Sequence, residues 1–153
     1  MMVAPPTFAH QRIVSNVQSL LDRALEGNPL ETIYRFLVRV PGVRDFCAAP
    51  DLIVTESETA NEYLAESLCL AVEVSSEFDS HEMIDRKLEL YQSHPDNLYR
   101  LTIDQDSVHV ALYAREAGWQ KADLWSLDDV LKLPAFGFEA TLADIYKGTP
   151  LGG

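Results

Sequence analysis

Between residues 9 and 26, apolar side chains recur every three or four positions: Ile13, Val14, Val17, Leu20, Leu21, Ala24 and Leu25, with Gly27-Asn28-Pro29 ending the run. That spacing predicts an amphipathic helix. The period then drops to two. Tyr34, Phe36, Val38 and Val40 alternate with Arg35, Leu37 and Arg39 up to Pro41-Gly42, the pattern of a strand closed by a turn. A second strand is expected over residues 49–55, followed by a polar, acidic loop or irregular helix to residue 66. From Leu68 to Val74 almost every position is apolar, which predicts a central strand covered on both faces. Helical spacing returns over residues 80–93, with Met83, Ile84, Leu88, Leu90 and Tyr91 expected toward the core and Pro95 as the stop. Three strands follow, over residues 98–104, 108–115 and 119–125. The first two are joined by Gln105-Asp106-Ser107, a hairpin turn that makes them antiparallel neighbours. Residues 127–148 read as short helical pieces. The order α-β-β-β-α-β-β-β predicts an α/β fold with a helix-flanked mixed sheet.

A chain of 153 residues with 47% apolar content supports one domain with a hydrophobic core. No apolar run approaches the roughly 18 to 20 residues of a membrane span, and Met1-Met2-Val3-Ala4-Pro5-Pro6 lacks the regions of a secretory signal, so a cytoplasmic protein is expected. The two cysteines, Cys47 and Cys69, exclude a disulfide framework and a four-cysteine zinc site, and read as buried thiols. The net charge of −12 opposes tight binding to nucleic acid through its phosphates. It either keeps the protein soluble or lies away from a small basic cleft, for which Arg35, Arg39 and Arg44 are the nearest cluster.

Three charged residues fall where the pattern demands burial: Asp51 at the start of a strand, Glu73 inside the most apolar strand, and Lys87 along the inward face of the next helix. Two carboxylates from two strands and one ammonium from a helix can converge. Paired carboxylates repel unless one is protonated or a divalent cation joins them, and oxygen ligands favour magnesium or manganese. The competing account is a buried Glu73–Lys87 ion pair beside a turn-forming Asp51. Other motifs fail. His81-Glu82-Met83-Ile84-Asp85 has Asp where a zinc protease needs its second His. There is no nucleophile elbow, phosphate-binding loop or dinucleotide fingerprint. His10 reads as a capping or satisfied histidine, His94 and His109 show no cluster around them, and Trp119 and Trp125 read as core or interface anchors.

The run Ala48-Ala-Pro-Asp-Leu-Ile-Val-Thr, then Leu70-Ala-Val-Glu-Val-Ser, then Asp85-Arg-Lys-Leu-Glu-Leu-Tyr resembles the Pro-Asp strand, Glu-Val-x-Ser strand and Lys-x-x-x-Tyr helix of the bacterial Uma-two restriction-endonuclease family. Leu98-Tyr-Arg-Leu-Thr-Ile-Asp, Trp119, Leu133-Pro134 and Leu142-Ala-Asp-Ile-Tyr are similar to its later segments, and Ala9-His10 to the His opening its first long helix. The resemblance spans residues 4–148. It implies the PD-(D/E)XK nuclease fold, with Asp51 and Glu73 as magnesium or manganese ligands and Lys87 as catalytic lysine. That superfamily usually places its lysine two residues after the second acid, where this chain has Ser75, so Lys87 is read as a lysine moved to the helix. Ser76-Glu-Phe-Asp replaces the family's Ser-Pro-Ser-Thr, Met83 its helix Asp, and its N-terminal strand pair is missing, leaving Glu56 as a possible substitute for the acid lost with that pair.

The expectation is therefore a single nuclease-like domain over residues 1–153, hydrolysing DNA as a homodimer with weak DNA affinity and no membrane contact. The alternative is a catalytically inactive relative serving as a binding or dimerisation module.

Overall fold

In the computed structural model, which describes residues 7–39, 47–56, 64–76 and 79–152, the first apolar stripe forms helix α1 (Phe8–Ala24), buried through Ile13, Val14, Val17 and Leu21. The Thr7 hydroxyl caps it by accepting the His10 N–H. Strands β1 (Leu30–Tyr34), β2 (Leu37–Arg39), β3 (Cys47–Ala48), β4 (Leu52–Glu56), β5 (Leu64–Ala65) and β6 (Leu70–Ser75) precede helix α2 (His81–Ser93). After it come β7 (Tyr99–Asp104), β8 (Val110–Ala114), β9 (Lys121–Leu124), β10 (Val130–Leu133), β11 (Phe138–Thr141) and helix α3 (Leu142–Ile145). Among these described helices none is long and apolar enough to cross a membrane.

A six-stranded mixed sheet runs in the order β1-β4-β6-β7-β8-β9. Only β6 and β7, joined through α2, are parallel; the other neighbours are antiparallel. Two apolar layers follow from strand alternation. Leu52, Val54, Leu70, Val72, Val74, Leu101 and Ile103 pack with α1, α3 and the β10-β11 hairpin. Ile53 and Ala71 face the other way, with Tyr91 of α2 and with Val38 and Ala65 of the small sheet β3-β2-β5. All six residues of β6 are buried, as its continuous apolar run requires.

The expected mixed α/β architecture is present, with four local corrections. The alternation over residues 34–40 is not one strand: Arg35 takes a left-handed backbone, φ 50°, which separates β1 in the large sheet from β2 in the small one. β1 itself starts at Leu30, because its pairing with β4 overrides a weak local pattern. The tail expected to be helical holds the β10-β11 hairpin, turned by a 3-10 segment at Pro134–Phe136, with only α3 as helix. Neither tryptophan joins the core, which corrects one half of their reading as core or interface anchors: Trp119 is half-buried, and Trp125 is 64% exposed and stacks on His109 at 3.9 Å between ring centroids. Of the cysteines, Cys69 is a buried free thiol, its pKa pushed by burial to about 11, while the Cys47 side chain, like Val40 and Arg44, lies outside what is described.

Leu101, fully buried at the centre of β7, tests the larger layer. Leu101→Ala should lower unfolding free energy by about 2–5 kcal/mol in urea denaturation. A loss below about 1 kcal/mol would mean that this layer is not tightly packed.

Candidate functional site

Leu52 pairs with Val72 across the antiparallel β4-β6 ladder, so Asp51, one residue ahead of β4, lies beside the Glu73–Val74 end of β6. Its carboxylate is held from two directions. Oδ2 accepts the Val74 N–H at 2.8 Å and lies 3.3 Å from His10 Nε2, which reaches across from the first turn of α1. Its carbonyl accepts the N–H of the left-handed Arg35 at 3.1 Å. The backbone bend that interrupts the expected strand thus also pins Asp51.

Glu73 shares the strand parity of Ala71 and points to the α2 side of the sheet. It is only 9% exposed, and Oε1 accepts the Tyr91 hydroxyl at 2.7 Å. Burial, and then the charge of Asp51, raise its pKa from 4.5 to about 7; the Lys87 charge and the Tyr91 hydrogen bond oppose this incompletely. Burial also pushes Asp51 upward, but the hydrogen bonds from His10 and the Val74 N–H outweigh it and leave that carboxyl below its ordinary value. Each carboxyl also acts on the other, Glu73 lowering Asp51 and Asp51 raising Glu73. The pair therefore has one firmly ionised member and one that holds its proton toward neutrality.

Lys87 differs from its expected setting. It is exposed, as are Met83, at 56%, and much of this helix face, whereas Tyr91 one turn later is fully buried. Tyr91 and Ile84 are the described α2 residues that join the apolar layer on this face of the sheet, and Lys87 lies on the rim. Its charge still acts on Glu73, with no ion pair to a carboxylate among the described residues. The buried Glu73–Lys87 ion pair of the competing account is therefore not found among the described residues. Ser75, at the superfamily's usual lysine position, is buried and donates to Asp104 Oδ1 at 3.0 Å. Glu56 sits at the opposite end of β4 from Asp51 and cannot substitute there.

Two residues belong to the site beyond the expected three. His10, read as a capping or satisfied histidine, contacts Asp51 through Nε2, while its buried Nδ1 has no hydrogen-bond partner among the described residues. Tyr91, expected in the core and as the Tyr of the Lys-x-x-x-Tyr resemblance but given no role there, orients Glu73. Neither role is visible in helical periodicity, which reports the buried face but not what a polar tip touches there. His109 also proves clustered: Nδ1 lies 2.9 Å from Asp104 and Nε2 2.8 Å from Asp123. Among the described residues, no group of three or more His, Cys, Asp or Glu is arranged to hold a metal ion.

A family model described as "Putative restriction endonuclease", Uma2, matches residues 1–143. The chain is also similar to the crystal structure of a "putative nuclease belonging to DUF820" from Anabaena variabilis, with a TM-score of 0.79 at 14% identity, over 95% of this chain and 84% of that one. At this identity the likeness is one of fold. No curated protein matches significantly.

The raised pKa of Glu73 has a pH signature. Its protonated form supports folding fully below the ordinary value of 4.5, and this support is lost as pH rises through about 7. In metal-free buffer, Glu73→Gln should match wild type near pH 4.5 and exceed it by on the order of 2 kcal/mol at pH 8. Parallel pH profiles in urea denaturation would show that Glu73 ionises as an ordinary carboxylate.

Proposed function

The chain belongs to the Uma2 family, and on that footing we propose that it is a magnesium- or manganese-dependent nuclease hydrolysing DNA phosphodiester bonds. The register that sets Asp51 beside Glu73 at one end of the sheet, with Asp51 Oδ2 2.8 Å from the Val74 N, is the observation that carries this reading. Glu73 retains its proton because nothing nearby neutralises a second charge fully, and a hard divalent cation fits such a donor pair. With only two carboxylates gathered, water and phosphate oxygens would complete the shell, as is usual for magnesium. When bound, such a cation supplies Lewis-acid polarisation of a phosphoryl oxygen.

The chain's own residues then have distinct tasks. His10, the Val74 N–H and the Arg35 N–H hold Asp51; Tyr91 holds Glu73. Lys87, on a flexible stem at the rim, can follow a phosphate and offset charge developing on its non-bridging oxygens. The positive charge is sparse: twelve Lys and Arg against twenty-four Asp and Glu. Arg39 is already paired with Glu66 at 3.3 Å. DNA affinity is accordingly low and steeply salt-dependent in this reading, and a homodimer offsets it by placing two clefts on one duplex.

Millimolar magnesium or manganese should raise the melting temperature, by an amount equivalent to about 1.4 kcal/mol at ten times the Kd, and Glu73→Gln should remove most of the rise. Supercoiled plasmid should be nicked slowly with metal present, and Lys87→Ala should abolish nicking while melting as wild type does. Cleavage that survives Lys87→Ala would place the chemistry elsewhere. A folded wild type with neither a metal shift nor cleavage would favour the non-catalytic binding module.

A further inference from the structure

Strand β9 ends the large sheet, with Lys121, Ala122 and Asp123 exposed. Which of its backbone groups face outward follows from the ladder on its inner side. The Asp104 N–H donates to the His109 carbonyl at 3.0 Å and the Arg115 N–H to that of Leu98 at 2.9 Å. The odd-numbered residues of β8 therefore bond to β7, and the even-numbered ones to β9. In the β8-β9 register Leu112 opposes Ala122 and Val110 opposes Leu124. Ala122 and Leu124 thus turn their N–H and C=O groups inward. Lys121 and Asp123 turn theirs outward, where no bond reaches them among the described residues. This open stretch is closed at both ends. The Trp125 N–H, next in the outward series, donates to Asp129 Oδ2 at 3.0 Å, and Trp119 has a left-handed backbone, φ 63°, that ends the extended run.

An exposed edge of this kind is a template for another strand. A second copy of β9 fits it. Laid antiparallel about a two-fold axis at Ala122, each Lys121 stands opposite the partner's Asp123, and the outward groups of these residues meet in hydrogen-bonded pairs. The Lys121 and Asp123 side chains share one face, with Nζ 3.5 Å from Oδ1 within the chain, so pairing brings two ammonium and two carboxylate groups together in alternation. A lone edge lysine discourages pairing. Here Asp123 supplies the counter-charge, and an antiparallel copy presents it in register, whereas a copy laid parallel and in register would set lysine against lysine.

The chain's two tryptophans, at positions 119 and 125, lie equally far from Ala122. In the same pairing each Trp125 comes to the partner's Trp119. Trp125 is 64% exposed with one ring face on His109, and Trp119 is half-buried beside Arg115. Exposed aromatic rings flanking a pairing edge are the kind of surface an interface buries. The opposite edge strand, β1, is a poorer template: α1 lies along it, with Gln18 and Asp22 bonded to the Thr32 hydroxyl, and left-handed Arg35 ends its extended run.

We propose that β9 pairs with β9 of a second copy of this chain across a two-fold axis at Ala122, joining the two large sheets into one. The inference supplies the interface of the dimer and does not depend on the nuclease reading, since Asp51, Glu73 and Lys87 take no part in it.

Sedimentation velocity on the full chain at micromolar concentration should give twice the 17.1 kDa of one chain. Lys121→Asp and Asp123→Lys each set like charges against one another in the symmetric pair. Each should raise the dimer Kd at least about tenfold with circular dichroism unchanged. An equimolar mixture of the two variants should recover the dimer, because every cross-strand pair is then unlike again. Ala122→Cys should form a disulfide between chains on mild oxidation, since facing Cα atoms of such a pair lie about 4.5 Å apart, whereas Gln120→Cys should not. A monomeric wild type, a dimer that both charge variants leave intact, variants that stay monomeric when mixed, or equal cross-linking from positions 120 and 122 would each overturn the inference. A monomer that still nicks plasmid with metal would do so while leaving the nuclease reading standing.

Discussion

A carboxyl group inside the most apolar strand of the molecule constrains much of what surrounds it. Burying Glu73 unpaired would cost several kcal/mol, so its neighbours have to satisfy it. Tyr91 does so from α2 through its hydroxyl, and a pKa raised by burial and by the charge of Asp51 relieves the rest. Because Tyr91 must point inward, the rotation of α2 is set, and Lys87, one turn earlier, falls at the rim rather than beneath the helix. Because Asp51 must stand beside Glu73, its backbone and side chain are each fixed, by the Arg35 and Val74 N–H groups and by His10. The helix on one face of the sheet and the first turn of the helix on the other are thereby tied to one point.

The rest of the sheet protects that point. Leu70, Val72 and Val74 bury against the larger apolar layer while Ala71, Glu73 and Ser75 face α2, so a register slip of one residue in β6 would exchange a carboxylate for a valine in that layer. Partners on β4 and β7 hold the register from both sides. At the far edge, Tyr146 donates to the Asp104 carbonyl at 2.6 Å and accepts the His109 N–H at 3.1 Å, and the His109 ring bridges Asp104 to Asp123. The turn after β7 and the edge strand β9 are thus held by polar contacts where apolar burial runs out.

The parts legible in the sequence were those with a strong local period. The first helix, the central strand with Glu73, the second helix and the hairpin of the next two strands all follow from spacing, and Asp51 and Glu73 stand out as polar residues in apolar runs. The break at Arg35 was not legible, because residues 34–40 alternate straight through it and only pairing with β4 shows which half belongs to which sheet. The β10-β11 hairpin was hidden by Leu-Pro-Ala-Phe-Gly, which encodes a 3-10 turn as readily as a helix end. Lys87 was misjudged in depth: helical spacing places it near Tyr91 in angle but cannot distinguish the centre of a buried face from its margin. His10 and His109 have partners 41 and 5 or 14 residues away, at Asp51, Asp104 and Asp123, and single-residue patterns carry no record of such meetings.

The acidity of the chain bears on the site less than the formal count suggests. A net charge of −12 treats Glu73 as ionised, yet a carboxyl with a pKa of about 7 is close to half protonated at neutral pH. The Asp51–Glu73 pair then carries between one and two negative charges, according to what else is present. A divalent cation entering between them would displace that proton, so its affinity would rise with pH through the same range in which the bare site becomes unstable. Long-range repulsion of a polyanion persists, but it is screened within about 8–10 Å at ordinary ionic strength. At shorter range the local groups decide, first among them the Asp51–Glu73 pair at one end of β6, whose charge is set by its own neighbours rather than by the net count.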